Sequence, residues 1–479
     1  MTAQQRYLPA PLFEQLGPDF ADPVTPARFP QLQLRRRNQR WAEQIGLGGL
    51  SGEDWEQHFA RFQPLPGNMS QPLAMRYHGH QFRHYNPDIG DGRGFLFAQL
   101  RDEGGRLLDL ATKGSGQTPY SRFGDGRLTL KGGVREVLAA EMLEALGVYT
   151  SKAFSLFETG EALTRNDEPS PTRSSVLVRL SHSHIRFGSF QRLAYLQRRD
   201  LIETLMEHVA QAYYPQHAGL PAAARTAAVF AEAVTANARL AASWMGAGFV
   251  HGVLNTDNLN ITGESFDYGP WRFLPSSQPG FTAAYFDETG LYAFGRQPEA
   301  VSWALAQLGG ALSCAADASA LEEAMAQFAP AYQNALRDQI FARLGLACGN
   351  LQNDVAFLSD LFEWMTASQA GWDQVFHDWR GGSVSAARAS DSPQAALYRT
   401  NAFMPVRRGL DARTRTDAST LIAHAYFQQP RPHTLLIEDV ETLWAAIAER
   451  DDWSLYEAKL NAIAELRAAL QSPSSRGSI

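Results

Sequence analysis

Residues 248–270, GFVHGVLNTDNLNITGESFDYGP, restrict the fold of this chain more than any other stretch. Phe249 and Val250 lead into His251, and a polar, turn-forming N-T-D-N run carries Asp257 and Asn258. Asp267-Tyr268-Gly269 follows nine residues after Asn258. Asn258 and Asp267 both offer hard oxygens, the donor type Mg²⁺ takes when it holds a nucleotide's phosphates. A chain that uses both must hold two loop segments side by side.

The spacing follows the kinase catalytic loop H-x-D-x-x-x-x-N and its D-F-G, with His251, Asn258 and Asp267-Tyr268-Gly269 in the matching places. The catalytic-Asp position is Val253, which cannot take a proton from a hydroxyl. A different carboxylate, Asp257, stands immediately before Asn258. The same composition also makes ordinary turns, so the stretch alone leaves both readings open.

Residues 76–136 supply possible partners. RYHGHQF leads to IGDGRGFLFAQL, where Gly90, Gly92 and Gly94 can bring backbone N–H groups and Arg93 to an anion, or simply turn a hairpin. LLDLATK alternates as a strand and ends on Lys113; a second G-D-G-R follows at Gly124, Asp125, Gly126 and Arg127. GGVREVLAAEMLEALG has helical period, with Val134, Leu138, Met142 and Leu146 on one stripe and Gly147 as its stop. Glu136, placed in its first turn, lies 23 residues past Lys113, the order of a kinase's lysine–glutamate pair. A surface lysine and a dipole-favoured glutamate would look the same. SSVLVRLSHSHIRFGSF reads as a strand and a turn carrying Arg179 and Arg186, whose planar forks suit phosphate oxygens. His182 and His184 read as polar packing rather than metal ligands, since no third ligand follows at metal spacing.

Beyond residue 198 the pattern is helical, with helices expected over Arg199–Tyr214, from Pro221 (at N1) to Met245, from about Pro298, and within 319–370 and 437–470. Arg35-Arg36-Arg37 reads as a solvated helix face, GGSVSAARASDSPQ as a connector, and the tail SPSSRGSI as disordered. Cys314 and Cys348 fall in apolar helical patterns and read as buried free thiols of a reducing compartment. A net charge of −7 argues against a nucleic-acid partner, and no apolar run approaches a membrane span of about 20 residues. The first 20 residues lack an apolar signal core, so a cytoplasmic location is expected.

In combination, RYHGHQF, GDGR, KGSGQTPYSRFGDGR, VRE, VLVRLSHSHIRFGSF and GFVHGVLNTDN…DYGP resemble the bacterial branch of the selenoprotein O family (SelO, also called YdiU), over roughly residues 70–310. The resemblance implies a protein-kinase-like fold that transfers AMP from ATP to protein Ser, Thr or Tyr hydroxyls, the chain's own among them. UMP transfer from UTP, with Mn²⁺, is also ascribed to bacterial members. The nucleotide would bind inverted relative to kinases, its α-phosphate facing the incoming hydroxyl. Carried over by position, Lys113, Arg179 and Arg186 would hold phosphates, and Gly90, Gly92, Arg93, Asp125 and Gly126 would complete the nucleotide site. Asn258 and Asp267 would bind Mg²⁺ or Mn²⁺, Asp257 would be the base, and Glu136 would orient Lys113. Three stretches depart from the family pattern: QFRHYNPDIG, KGGVRE, and NAFMPVRR at Asn401–Arg408.

The expected architecture is α+β: a two-lobed kinase-like fold with an N-terminal extension (1–70), a small lobe (71–195), a helical large lobe (196–375) and a helical C-terminal addition (376–479). The expected activity is nucleotidyl transfer. Its rivals are a phosphotransferase, opposed by Val253, and a non-catalytic ATP-binding scaffold.

Overall fold

The structure, a computed structural model, describes residues 6–166 and 168–471. Its frame is an antiparallel sheet built from β1 (Ala21–Pro23), β2 (Gln33–Arg37), β3 (Leu73–Met75), β6 (Leu96–Arg101), β7 (Leu107–Lys113), β9 (Lys152–Leu163) and β10 (Thr172–Ser181). They lie in the order β1-β3-β6-β7-β10-β9-β2, and β8 (Leu128–Thr129) pairs with β10. A separate hairpin joins β4 (Gly79–Gln81) to β5 (His84–Asn86).

Alternation along the strands, offset in β9 by a bulge between Ala153 and Ser155, divides the sheet between two cores. Leu107, Ala111, Leu156 and Leu177 face α3 (Leu130–Ala145) and join the main core with Val134 and Leu138. Phe97, Leu110, Phe154, Val176 and Val178 face the other way, onto α1 (Gln39–Gln44) and α2 (Gly52–Phe59) through Ala42, Trp55 and Phe59. A Ser51–Asp54 capping box starts α2, and Thr129 caps α3 by accepting from Gly132 N–H at 3.1 Å. Strands of residues 21–37 thus belong to the same sheet as β6–β10.

The rest is helical. After α4 (Phe187–Tyr195) and α5 (Arg199–Tyr213), the long α6 (Ala222–Ala247) runs through the core and ends on Gly248 in the left-handed region (φ 66°). Gly248 turns the chain into β11 (Phe249–Val250), which pairs with β12 (Arg272–Phe273). That short ladder clamps both ends of the 251–271 loop. Helix α7 (Gln297–Leu312) follows. Helices Phe328–Leu344 and Leu351–Ser368 build a further core around Trp364, Trp372 and Trp379. The last helix, Ser454–Leu470, returns to α3, where Arg467 pairs with Glu141 and Arg36 meets the same carboxylate at 2.7 Å.

Several sequence expectations are corrected. Cys314 and Cys348 are exposed, because each sits past the buried stripe, just after a helix end. Arg35-Arg36-Arg37 lies on β2, not on a helix; Arg35 pairs with Glu158 and Asp451, Arg36 with Glu141, and Arg37 donates to the Gly48 and Leu50 carbonyls. The 381–394 connector folds into two short helices, Gly382–Ser385 and Ala386–Ser390, around a buried Ser385, which donates to the Arg380 carbonyl. Pro221 is the N-cap of α6 rather than its first residue, and Arg186 starts a helix instead of ending in a turn. The tail at 472–479 lies outside the described residues.

Phe154 is fully buried between Trp55 and Phe59. Phe154→Ala should cost about 3–5 kcal/mol in urea unfolding, with the slope unchanged. A loss below about 1 kcal/mol would mean that the layer of α1 and α2 is not packed on the sheet.

Candidate active site

Strand register puts the first two cations together. Lys113 ends β7 opposite Leu177, and Arg179 lies two residues on along β10, opposite Ala111. Both share parity with the side chains facing α3, so both point under that helix. There Glu136 waits, in the second turn of α3 rather than the first, accepting from Lys113 Nζ at 2.5 Å and from Arg179 at 3.4 Å. Lys113 and Glu136 are nearly devoid of exposed surface.

Arg186 arrives by a different route. Residues 185–187 run antiparallel to 259–261, with Ile261 N–H donating to Ile185 O at 3.0 Å and Phe187 N–H to Leu259 O at 3.0 Å. Its guanidinium lies between Tyr77 (4.6 Å) and Phe266 (4.8 Å), donates to the Asp257 carbonyl at 2.6 Å, and reaches Asp91 at 3.4 Å. Two aromatic faces fix the plane of the fork.

Asp267 gathers the three cations: Lys113 at 2.8 Å, Arg179 at 3.3 Å and Arg186 at 3.6 Å. Burial alone would raise its pKa, but these charges outweigh it and hold the carboxyl well below the usual range. Its backbone takes the left-handed conformation (φ 64°), which directs the side chain back toward β7 and β10. His251 ties this segment to the rest of the loop, its Nε2 bonded to the Phe266 carbonyl at 3.0 Å and its own N–H to Gln297 Oε1 at 2.9 Å.

These groups open onto one cavity of about 700 Å³, lined by Gly90, Gly92, Arg93, Lys113, Asp125, Gly126, Arg179, Arg186, Asp257 and Asp267. Ten of the twelve sequence candidates therefore share a wall. Glu136 lies beneath Lys113. Asn258 sits beside Asp257 on the Thr256–Asn258 turn, off the cavity wall, donating its amide to the Val253 carbonyl at 3.0 Å and leaving its side-chain oxygen available.

The glycines act by close approach. A Cβ on Gly90 would fall 2.4 Å from the Tyr120 ring, and one on Gly94 would lie 2.1 Å from the Thr112 carbonyl. Gly126 combines φ 70° with a backbone contact to Gly116 that no side chain could fit. Asp125 is tied to Arg165 at 2.8 Å on the rim.

The carboxylates divide sharply. Asp91, Asp125 and Asp267 each have a cationic partner, whereas Asp257 has none within 4 Å among the described residues, and its Oδ1 is buried without a hydrogen-bond partner. Burial pushes its pKa up to about 6, with Arg186 opposing the shift. Arg179 and Arg186 each also bury an Nε–H with no acceptor. Unsatisfied donors beside an open cavity are groups an anion would satisfy.

Sequence reasoning missed Tyr77 and Phe266, the aromatic faces around Arg186, and Phe123, fully exposed on the cavity's outer loop. Only the last had a signal, an aromatic inside the second G-D-G-R segment. His184 bonds Asp109 and His182 bonds Tyr149, as polar packing requires. No cluster of three or more His, Cys, Asp or Glu suited to a metal occurs among the described residues.

A family model described as "Protein adenylyltransferase SelO" matches residues 4–464. The chain belongs to the SelO family. "Protein nucleotidyltransferase YdiU" of Synechococcus elongatus is 44% identical over 466 residues, covering 94% of each chain. The protein of that name from Gloeobacter violaceus is 43% identical over 456 residues, 92% of each chain, and that from Myxococcus xanthus is 33% identical over 463 residues, 95% of this chain and 92% of the relative. As a SelO member the chain is an enzyme of the nucleotidyltransferase class, with a nucleotide as co-substrate.

Arg186→Lys keeps the charge but loses the flat fork between Tyr77 and Phe266. Titration calorimetry with a nucleoside triphosphate should show binding weakened about tenfold. Unchanged affinity would remove Arg186 from the phosphate site.

Proposed function

We propose that this enzyme moves AMP from ATP, or UMP from UTP, onto Ser, Thr or Tyr hydroxyls of proteins, its own surface included. One observation carries the reading: among the described residues Asp257 is the one cavity carboxylate with no cation within 4 Å, and it shares a cavity of nucleotide size with Lys113, Arg179 and Arg186.

The triphosphate lies with its inner phosphate toward Asp257. Lys113, held by Glu136, and the Arg179 and Arg186 forks take up phosphate charge, the unsatisfied Nε–H groups included. The substrate hydroxyl oxygen attacks the α-phosphorus, the bond to the bridging α–β oxygen breaks, and pyrophosphate leaves. Asp257 accepts the hydroxyl proton. Asn258 and Asp267 offer two hard oxygens, a set that fits Mg²⁺ or Mn²⁺ when phosphates complete the shell. Bound there, the ion would neutralise phosphate charge.

The mixed fold fits a kinase-like reading in which the sheet, mostly from 71–195 but edged by β1 and β2 of the 1–70 segment, and the helices of 196–375 form two lobes about the cavity, with the C-terminal helices as an addition. Phosphorylation is the reading this displaces. At the kinase base position Val253 offers only its carbonyl, already bonded to Asn258. No helix of the described residues is long and apolar enough to cross a membrane. Two free, exposed thiols suit the reducing cytoplasm.

Incubation with α-³²P-ATP should label protein, and γ-³²P-ATP should not; label from γ alone would mean a kinase, and label from neither a scaffold. Asp257→Asn should lower transfer about 10²–10⁴-fold with binding retained. The base works only when ionised, and burial raises its pKa, so kcat/KM should fall about tenfold per unit as pH drops below about 6 and level off above it. A profile flat from pH 5 to 8 would contradict Asp257 as the base.

A further inference from the structure

The hairpin of β4, from the RYHGHQF segment, and β5, just past it, lies against the Asp257 loop and has no place in the chemistry above. Thr256, fully buried next to Asp257, accepts from His80 N–H at 2.7 Å and donates its hydroxyl to Gln191 Oε1 at 2.7 Å. Gln191, at the middle of α4 and 4% exposed, donates its amide to His80 Nδ1 at 3.0 Å. Three residues from three elements thus close a ring of hydrogen bonds with every donor used once. Two residues further on, Phe82 N–H donates to Asn255 Oδ1 at 3.0 Å, and Tyr292 OH donates to the same oxygen at 2.8 Å.

The hairpin accepts strain to do this. Phe82 (φ 49°) and Arg83 (φ 65°) both adopt the left-handed conformation at its tip, where Gly or Asn is the usual choice. Phe82 is held there by Tyr292 and Phe286 (ring centroids 5.0 and 5.8 Å), and Arg83 by Glu299 at 3.0 Å. The Asp257 side chain itself rests on the hairpin. A Cβ added to Gly79 would lie 3.1 Å from its Oδ1 and 3.3 Å from its Cβ. Among the described residues no cation lies within 4 Å of the Asp257 carboxylate and its Oδ1 has no hydrogen-bond partner, so packing on Gly79 and the anchoring of Thr256 are what fix its direction.

We infer that Thr256, Gln191, His80 and Gly79 are positioning residues that hold the Asp257 carboxylate in register with the attacking hydroxyl. The inference rests on Asp257 being the base. Misplacing a reacting group by about 1 Å can cost on the order of 10²-fold in rate, while Lys113 and Arg179, on β7 and β10, keep their place at the phosphates. The effect is therefore in kcat and not in nucleotide affinity.

The test measures kcat and nucleotide KM for Thr256→Val, Thr256→Ser, Gly79→Ala and Gln191→Met, alone and over Asp257→Asn, with thermal melting as the folding control. Thr256→Val and Gly79→Ala should each lower kcat about 10–100-fold with KM within about threefold, and Thr256→Ser, which keeps the hydroxyl, should recover most of the rate. Over Asp257→Asn the same changes should cost almost nothing further, since residues acting through one group are not additive. A full penalty in that background, or wild-type kcat in folded Thr256→Val and Gly79→Ala, would overturn the inference. Full activity in Asp257→Asn alone would instead bring down the assignment of the base. Should Thr256→Val not fold, Gly79→Ala and Gln191→Met decide the matter.

Discussion

The contact of Asp267 with Lys113, Arg179 and Arg186 is the interaction on which the rest depends. Three cations almost out of solvent repel one another and lose their hydration, a cost tolerable only if carboxylates sit among them. Asp267 from the loop and Glu136 from α3 do so, joining sheet, helix and loop in one charge cluster. Each partner is delivered by a separate physical device: strand register for Lys113 and Arg179, helix packing for Glu136, antiparallel pairing with 259–261 for Arg186, and a left-handed backbone for Asp267. A bound polyphosphate would give these cations a second anionic partner on the open side.

This cluster also explains why Asp257 stands apart. The three buried cations, Lys113, Arg179 and Arg186, are committed to Asp267, Glu136 and Asp91, and Arg186 makes its shortest bond to the Asp257 backbone carbonyl rather than its carboxylate. The Asp257 carboxyl is then governed by burial, which weakens it as an acid and strengthens it as a base. Two carboxylates of the same type thereby acquire opposite character ten residues apart in one loop, Asp267 fixed as an anion and Asp257 poised near neutrality.

Much of the site was legible in the sequence because its residues announce themselves by local order. Lys113 closes an alternating run, Glu136 sits early in a periodic one, and the Asn258–Asp267 spacing sits between apolar ends. What could not be read depends on contacts between segments far apart in the chain. Tyr77 and Phe266 flank Arg186 from 109 and 80 positions away, and no local pattern marks an aromatic as the wall of a cation. The ring of His80, Thr256 and Gln191 spans separations of 176, 65 and 111 residues. The two cysteines misled for the opposite reason: apolar neighbours suggested burial, but both lie beyond helix ends, where the buried stripe has stopped.

The most direct measurement is a crystal structure of the enzyme with a non-hydrolysable ATP analogue and Mg²⁺. The account predicts the α-phosphorus nearest the Asp257 carboxylate, with the β- and γ-phosphates among Lys113, Arg179 and Arg186. A γ-phosphorus facing Asp257, or a triphosphate bound away from the three cations, would contradict it.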